Sequence, residues 1–137
     1  MFEATGDLWG LAIALNNLGL LALQQGDYER ASALYQRGLT LFWHEGDKAL
    51  TARCFEELAW LAYERGDYEQ AVRLFATSEA LREAIGSVLH GPTRVEHDAN
   101  VSAVRAHFDE ATFAAAWAEG RAMTMEQAVA YALGEED

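Results

Sequence analysis

The chain has 137 residues, enough for one domain, and its formal net charge of −12 comes from 22 acidic against 10 basic side chains. Because phosphate binding needs a basic face, this balance argues against nucleic acid as a partner of this segment and favours a basic protein or peptide. We expect a cytoplasmic protein, since no apolar run is long enough to cross a membrane and no secretory signal is recognisable.

In chain order, helical periodicity and capping residues predict an all-α fold of about seven antiparallel helices. Gly6-Asp7, Gly26-Asp27 and Gly46-Asp47 are each predicted to end one helix and to cap the next. Gly120 is predicted to end the sixth helix, and Thr124 with Gln127 forms a capping-box pattern before the seventh. The predicted helices cover residues 7–25, 28–45, 48–65, 68–85, 93–106, 109–119 and 125–133.

A six-residue sequence recurs at a spacing of forty residues. It reads Gly-Asp-Tyr-Glu-Arg-Ala from Gly26 and Gly-Asp-Tyr-Glu-Gln-Ala from Gly66, and a degenerate copy, Ala-His-Phe-Asp-Glu-Ala, begins at Ala106. An internal repeat of this period predicts stacked helical hairpins, that is, a helical solenoid. The predicted units are 7–46, 47–86 and a degenerate 92–120, followed by a capping helix over 124–133.

The same register aligns residues 1–5 with residues 41–45, the last turn of a second hairpin helix. We therefore expect the chain to be a fragment of a longer array. An uncapped apolar repeat end favours self-association, so a homo-oligomer through the exposed repeat ends is a further expectation.

The repeated positions resemble the tetratricopeptide repeat family, whose hairpins carry small residues where paired helices cross. This resemblance implies that the solenoid is right-handed. The first unit supplies Leu18, Gly19, Ala22, Gly26, Tyr28, Ala31, Tyr35 and Gly38. The second supplies Leu58, Ala59, Ala62, Gly66, Tyr68, Ala71, Phe75 and Ser78. The third keeps Ala99, Phe108, Ala111 and Ala118, but Ala106 replaces the turn glycine and Ala115 the aromatic residue. The forty-residue period is longer than the usual unit of the family, so we expect longer helices.

The long period, the use of alanine and arginine, and the segment from Trp117 to Ala128 are similar to the C-terminal repeat segments of large bacterial LuxR-type and NTPase-type regulators. This resemblance implies a protein- or peptide-binding module of a bacterial transcriptional or signalling regulator. An alternative that it also implies is a sensor segment for a small inducer, and a plain spacer or self-assembly module is a third possibility. No phosphate loop or DNA-reading helix lies in the chain.

In such repeats the first helix of each hairpin lines the concave groove, which here implies a partner-binding face on three helices. The residues carried over are Ile13, Asn16, Leu20, Leu23 and Gln24, then Arg53, Glu56, Trp60, Tyr63 and Glu64, then Thr93, Glu96, Asn100, Ala103 and Val104. Eight of these form the predicted partner site: Asn16, Leu20, Leu23, Arg53, Glu56, Trp60, Tyr63 and Asn100. The alternative for Trp60 and Tyr63 is packing against the next hairpin; for Trp43 and Trp117, packing is the favoured interpretation.

Catalytic, cofactor and metal sites are not predicted. The four histidines are scattered, and the neighbours Glu96, His97 and Asp98 point in three directions on one helix. Glu56-Glu57 is interpreted as a solvated or groove-edge pair rather than acid/base machinery. Cys54, the single cysteine, is predicted to be a buried thiol, and no serine lies in a nucleophile motif. We therefore expect a protein that is not an enzyme.

Overall fold

The computed structural model describes residues 5–134, with side chains from residue 7 onward, and this range is an all-α helical repeat without strands. No helix within it is both long and apolar enough to span a bilayer. The predicted fold class is therefore confirmed. The helices are α1 (Thr5–Gln24), α2 (Tyr28–Glu45), α3 (Lys48–Glu64), α4 (Tyr68–Ile85), α5 (Gly91–Arg105), α6 (Glu110–Ala122) and α7 (Met125–Ala132).

Glycine and aspartate separate the first four helices from one another where the sequence predicts them to. Gly46 ends α2 with a φ of 79°, a left-handed conformation that costs glycine little. Asp47 then caps α3, because its side chain accepts a hydrogen bond of 3.0 Å from the backbone N–H of Leu50. Asp27 and Asp67 cap α2 and α4 in the same way.

The predicted break at Gly6-Asp7 is wrong. Helix α1 begins at Thr5, so Gly6 and Asp7 lie inside its first turn. A carboxylate in that turn is still favourable, because it faces the positive end of the helix dipole. The alignment of residues 1–5 with the end of an upstream hairpin therefore fails for Thr5, and residues 1–4 lie outside the described range.

The first four helices form two closed hairpins, in which α1 packs on α2, α2 on α3 and α3 on α4. Gly19 of α1 lies directly against the ring of Tyr35 on α2, and a Cβ there would come within 2.8 Å of the Tyr35 Cζ. The buried side of α2 follows the helical period. Ala31, Tyr35, Leu39 and Phe42 are buried, whereas Tyr28 and Leu34 are half-buried.

The last three helices do not form the predicted third hairpin. Helix α6 packs along α4, and α5 makes no extended contact with α6. Helix α6 packs on the face of α4 that carries Arg73, Ala76 and Thr77. In α2, the residues equivalent to Arg73 and Thr77 are Ala33 and Arg37, and both are exposed. Because successive residues of a helix are 100° apart, the face of α4 that packs on α6 lies opposite the face of α4 that packs on α3.

The sequence predicts that Gly120 ends α6, but the helix continues past it. Gly120 is instead the residue at which α6 contacts α4. A Cβ on Gly120 would meet the Arg73 carbonyl oxygen, and it would come within 2.8 Å of the Arg73 Cα and 2.9 Å of the Ala76 Cβ. The Thr77 hydroxyl donates to the Gly120 carbonyl at 2.9 Å. Glycine therefore permits a backbone-to-backbone approach that any larger residue would prevent, and α6 continues to Ala122.

The short helix α7 returns across the outer side of the two hairpins, where it contacts α2 and α4. Its capping box is present as predicted, because the Thr124 side chain and the Gln127 side chain each accept a hydrogen bond from the other residue's backbone N–H. Gln36 of α2 donates to the Ala132 carbonyl at 3.2 Å. Residues 135–137 lie outside the described range.

Candidate groove between the hairpins

An open groove of about 570 Å³ runs along the first helix of each hairpin and continues onto α5. Seven of the eight predicted partner residues line it: Asn16, Leu20, Leu23, Arg53, Glu56, Trp60 and Asn100. Thr93 and Glu96, which the sequence also placed on this face, line it as well. The stacked geometry of the hairpins therefore brings side chains from three helices onto one concave surface.

One wall of the groove is apolar and comes mostly from α1. Leu20 is an exposed side chain, Leu23 is half-buried, and Trp60 faces them from α3. Trp9 also lines the groove although the sequence prediction missed it. Its spacing was a usable signal, since Trp9 stands seven residues, about two turns, before Asn16 on the same helical face.

A polar network crosses the floor of the groove from α1 to α3. Arg53 Nε lies 3.5 Å from the Glu57 carboxylate. With its amide oriented to satisfy both neighbours, Asn16 donates to the same carboxylate and accepts from Arg53 Nη2 at 3.0 Å. Burial raises the pKa of the Glu57 carboxyl from 4.5 to about 7, although the Arg53 guanidinium acts in the opposite direction.

A second ion pair closes the far side of the groove floor. Arg82 of α4 donates to the two Glu56 carboxylate oxygens at 2.6 and 3.0 Å, and a third bond of 3.0 Å reaches the Ser87 hydroxyl. The side chains of Arg82 and Glu56 are only 15% and 16% exposed. Of the two interpretations of Glu56-Glu57, a solvated pair or a groove-edge pair, the structure supports the second, because each carboxylate lines the groove and is engaged by an arginine.

Tyr63 does not line the groove. Its ring stacks on Trp60 at 4.7 Å and also contacts the rings of Tyr68 and His107, at 5.5 and 5.7 Å. Tyr68 and His107 stack in turn at 3.8 Å. Tyr63 therefore connects the end of α3 to the start of α4 and to the turn after α5. This arrangement corresponds to the alternative interpretation, in which Tyr63 packs against neighbouring helices and does not face a partner.

The third helix of the groove, α5, is held by few core residues. Val104 is buried in the core, so its predicted place on the groove face is wrong, and Ala103 does not line the groove either. His97 does line it, and its imidazole packs edge-on against Phe75 at 5.5 Å. Ile13, Gln24 and Glu64 are exposed outside the groove.

The remaining chemistry-bearing residues lie apart from one another. Within residues 5–134 no three histidine, cysteine or carboxylate side chains gather where they could hold a metal ion. Cys54 is buried between α2 and α3, and its burial raises the pKa of the thiol. Trp117 stacks on Phe113 at 5.5 Å, on α6 and away from the groove, and Trp43 packs against the core.

Two closed helical hairpins with small residues at their crossings and a shared concave groove define a helical-hairpin repeat protein. The chain belongs to the tetratricopeptide repeat family, whose model matches residues 10–84, more than half of its length. The matched range ends within α4, before the helices that leave the hairpin pattern. No curated protein and no solved structure matches the chain.

Proposed function

We propose that the chain is a protein-interaction scaffold that binds a peptide segment in the groove of α1, α3 and α5. The observation that carries this proposal is the convergence of Leu20, Leu23 and Trp60 on one open concave surface. Tryptophan and large apolar side chains dominate interaction hot spots, and a preformed groove lowers the entropy cost of binding. The membership of the tetratricopeptide repeat family supports the same function, because its members are binding modules.

The charges of the groove favour a partner segment with a basic residue. Arg53 and Arg82 already pair with Glu57 and Glu56. Among the groove residues that the structure describes, Glu96 is the acidic side chain that no ion pair engages, and the chain as a whole carries −12. A lysine or arginine beside an apolar anchor would complement both the free carboxylate and the apolar wall.

A displayed peptide library tests this proposal directly. We expect selection on the wild-type chain to enrich peptides that combine an apolar anchor with a basic residue. Trp60→Ala should lower the affinity for the selected peptides by about ten- to a hundredfold, since a central tryptophan contributes roughly 1.5–3 kcal/mol to such a contact. Fluorescence anisotropy with the labelled peptides measures the change.

The matched control is Trp117→Ala, which removes the same side chain outside the groove. It should leave the affinity as in the wild type, while circular dichroism reports the helicity of both variants. If the peptides bind both variants equally well, Trp60 is not part of the binding site, and the proposal that this groove binds the peptide is wrong. Peptides without a basic preference would contradict the proposed role of Glu96.

We propose further that this scaffold acts without catalysis, as part of a bacterial transcriptional or signalling regulator in the cytoplasm. The similarity of the segment from Trp117 to Ala128 to the repeat segments of such regulators supports this setting. A groove volume of about 570 Å³ also falls in the range of small-ligand pockets, which supports a small-inducer sensor as the second candidate. That candidate would be favoured if a metabolite bound in the same groove and raised the melting temperature of the chain with no peptide present.

A further inference from the structure

The residues that line the groove include sets whose members are forty residues apart, the period of the repeat. Each set has one residue from α1, one from α3 and one from α5 or the turn before it. Because equivalent residues of stacked repeat units lie side by side, each set forms a layer across the groove. In order along the helices, the first layer is Trp9, Ala49 and Leu89, the middle layer is Asn16, Glu56 and Glu96, and the last layer is Leu20, Trp60 and Asn100.

Large apolar side chains lie at both ends of the groove, and polar side chains lie between them. In the first layer Trp9 is 55% exposed, so most of its ring is free to contact a ligand. In the last layer Leu20 and Trp60 line the groove together. In the middle layer Glu56 is engaged by Arg82, whereas no ion pair engages Glu96 within the described part of the chain. A ligand that lies along the helices therefore meets an apolar, then an acidic and then an apolar surface.

The rise of the helices gives the distances between the layers. On each helix seven residues separate the first layer from the middle one, and four separate the middle layer from the last. At 1.5 Å per residue, these steps are about 10 Å and about 6 Å. An extended peptide advances about 3.3 Å per residue, so about three of its residues span the first step and about two span the second.

The volume of the groove favours an extended peptide over a helical one. An α-helix that spans the same distance of about 16 Å is about 10 Å across, so it occupies about 1,200 Å³. The groove has a volume of about 570 Å³, less than half of that. An extended segment of about six residues is slimmer and can reach both ends of the groove while it stays inside.

We propose that the ligand is an extended peptide that lies along the groove, with two apolar residues five positions apart and a basic residue between them. One apolar residue contacts Trp9, and the other contacts Leu20 and Trp60. The basic residue is three positions from the first and two from the second, where it pairs with the Glu96 carboxylate. This inference rests on the proposed function, because it specifies the segment that the same groove would bind.

The peptides selected by display on the wild-type chain test the spacing. We expect the enriched sequences to share two apolar residues five positions apart with a lysine or arginine between them. Apolar residues three, four, seven or eleven positions apart are the spacing of one helix face. Enrichment of that spacing would overturn the proposal.

Trp9→Ala tests the first layer. It should lower the affinity for the selected peptides by about tenfold, because one of the two apolar anchors loses its contact. The matched control is Ile13→Ala, which shortens another exposed apolar side chain of α1, four residues later and outside the groove. Fluorescence anisotropy should show wild-type affinity for this control, and circular dichroism reports the helicity of both variants. Equal affinities of the two variants would contradict the proposal.

A double-mutant cycle assigns each apolar residue of the peptide to a layer. Alanine in place of the apolar residue three positions from the basic one should weaken binding to the wild-type chain by about tenfold and leave Trp9→Ala with no further effect. Alanine in place of the other apolar residue should show the same relation to Trp60→Ala. Additive effects in both cycles would mean that the peptide does not lie in this register.

The same measurements separate a failure of this inference from a failure of the proposed function. If Trp60→Ala leaves the affinity unchanged, the groove is not the binding site and both proposals are wrong. If Trp60→Ala lowers the affinity and Trp9→Ala does not, the groove still binds the peptide, and only the extended arrangement across the three layers is wrong.

Discussion

At the scale of single residues, two of the helical glycines, Gly10 and Gly120, have opposite surroundings. Gly10 on α1 has open space where a side chain would be, and Gly120 on α6 lies against the backbone of α4. The same substitution should therefore have opposite effects on stability. The sequence shows two glycines in helical patterns and cannot tell these surroundings apart.

We expect Gly120→Ala to lower the free energy of unfolding by about 2 kcal/mol, because its methyl group overlaps the backbone of Arg73. Gly10→Ala should raise it by roughly 0.5–1 kcal/mol, since alanine restricts the unfolded chain and favours helix. Urea unfolding, at a dilution where the chain is monomeric, measures both. A Gly120→Ala variant as stable as the Gly10→Ala variant would disprove the close contact of α6 with α4.

The Glu57 carboxyl should make stability depend on pH. Its pKa rises from 4.5 to about 7 on folding, so between these values the folded chain binds more protons here than the unfolded chain. The free energy of unfolding should therefore fall as the pH rises through this window. The shift corresponds to roughly 3 kcal/mol across the window.

Glu57→Gln isolates this group from the other acids. Urea unfolding from about pH 4.5 to pH 8 should show that the wild type loses stability relative to the variant, by up to roughly 3 kcal/mol, and that the difference levels off above pH 7. Parallel curves for the two proteins would mean that the carboxylate of Glu57 is charged throughout this range, stabilised by Arg53 and Asn16.

At the scale of the elements, helix α7 depends on its cap. It has only eight residues, too few for a stable isolated helix. At its N-terminus the Thr124 hydroxyl accepts a hydrogen bond of 3.1 Å from the backbone N–H of Gln127. Thr124→Ala should therefore cost about 1 kcal/mol of unfolding free energy. Thr40→Ala, in an exposed position of α2, should be neutral or slightly stabilising because alanine is the better helix former. Equal stability of the two variants would show that α7 contributes nothing to the fold.

All seven helices were predictable from the sequence, whereas the packing of the helices that leave the repeat was not. Helix α4 was predicted with its observed ends, Tyr68 and Ile85, because Asp67 and Gly86 mark them locally. The role of Gly120 was missed because a glycine after an alanine-rich helix is also typical of a helix end. Nothing local distinguishes that case from a glycine that contacts a helix forty residues earlier in the chain.

The groove was predictable to the same extent. Asn16, Arg53 and Trp60 follow from their positions on the first hairpin helices, and the structure places them in one groove. Arg82 was missed because it comes from a second hairpin helix, whose approach depends on how the hairpins pack. Tyr63 was assigned to the groove because the resemblance places the first helix of each hairpin there, yet its ring turns toward Tyr68.

At the scale of the whole molecule, α1 has two exposed apolar faces. Leu20 and Leu23 face the groove, whereas Leu18 and Leu21 face away from it. The proposed peptide would therefore contact only the first of these faces.

The return of α7 across the outer side of the molecule has a mechanical consequence. A stack of hairpins behaves as a spring, because small rotations at each hairpin interface add up to a change in curvature. Helix α7 contacts both α2 and α4, and the Gln36 bond to Ala132 attaches it to the first hairpin. Bending of the two hairpins would have to break these contacts, so we expect α7 to oppose a change in the curvature of the groove.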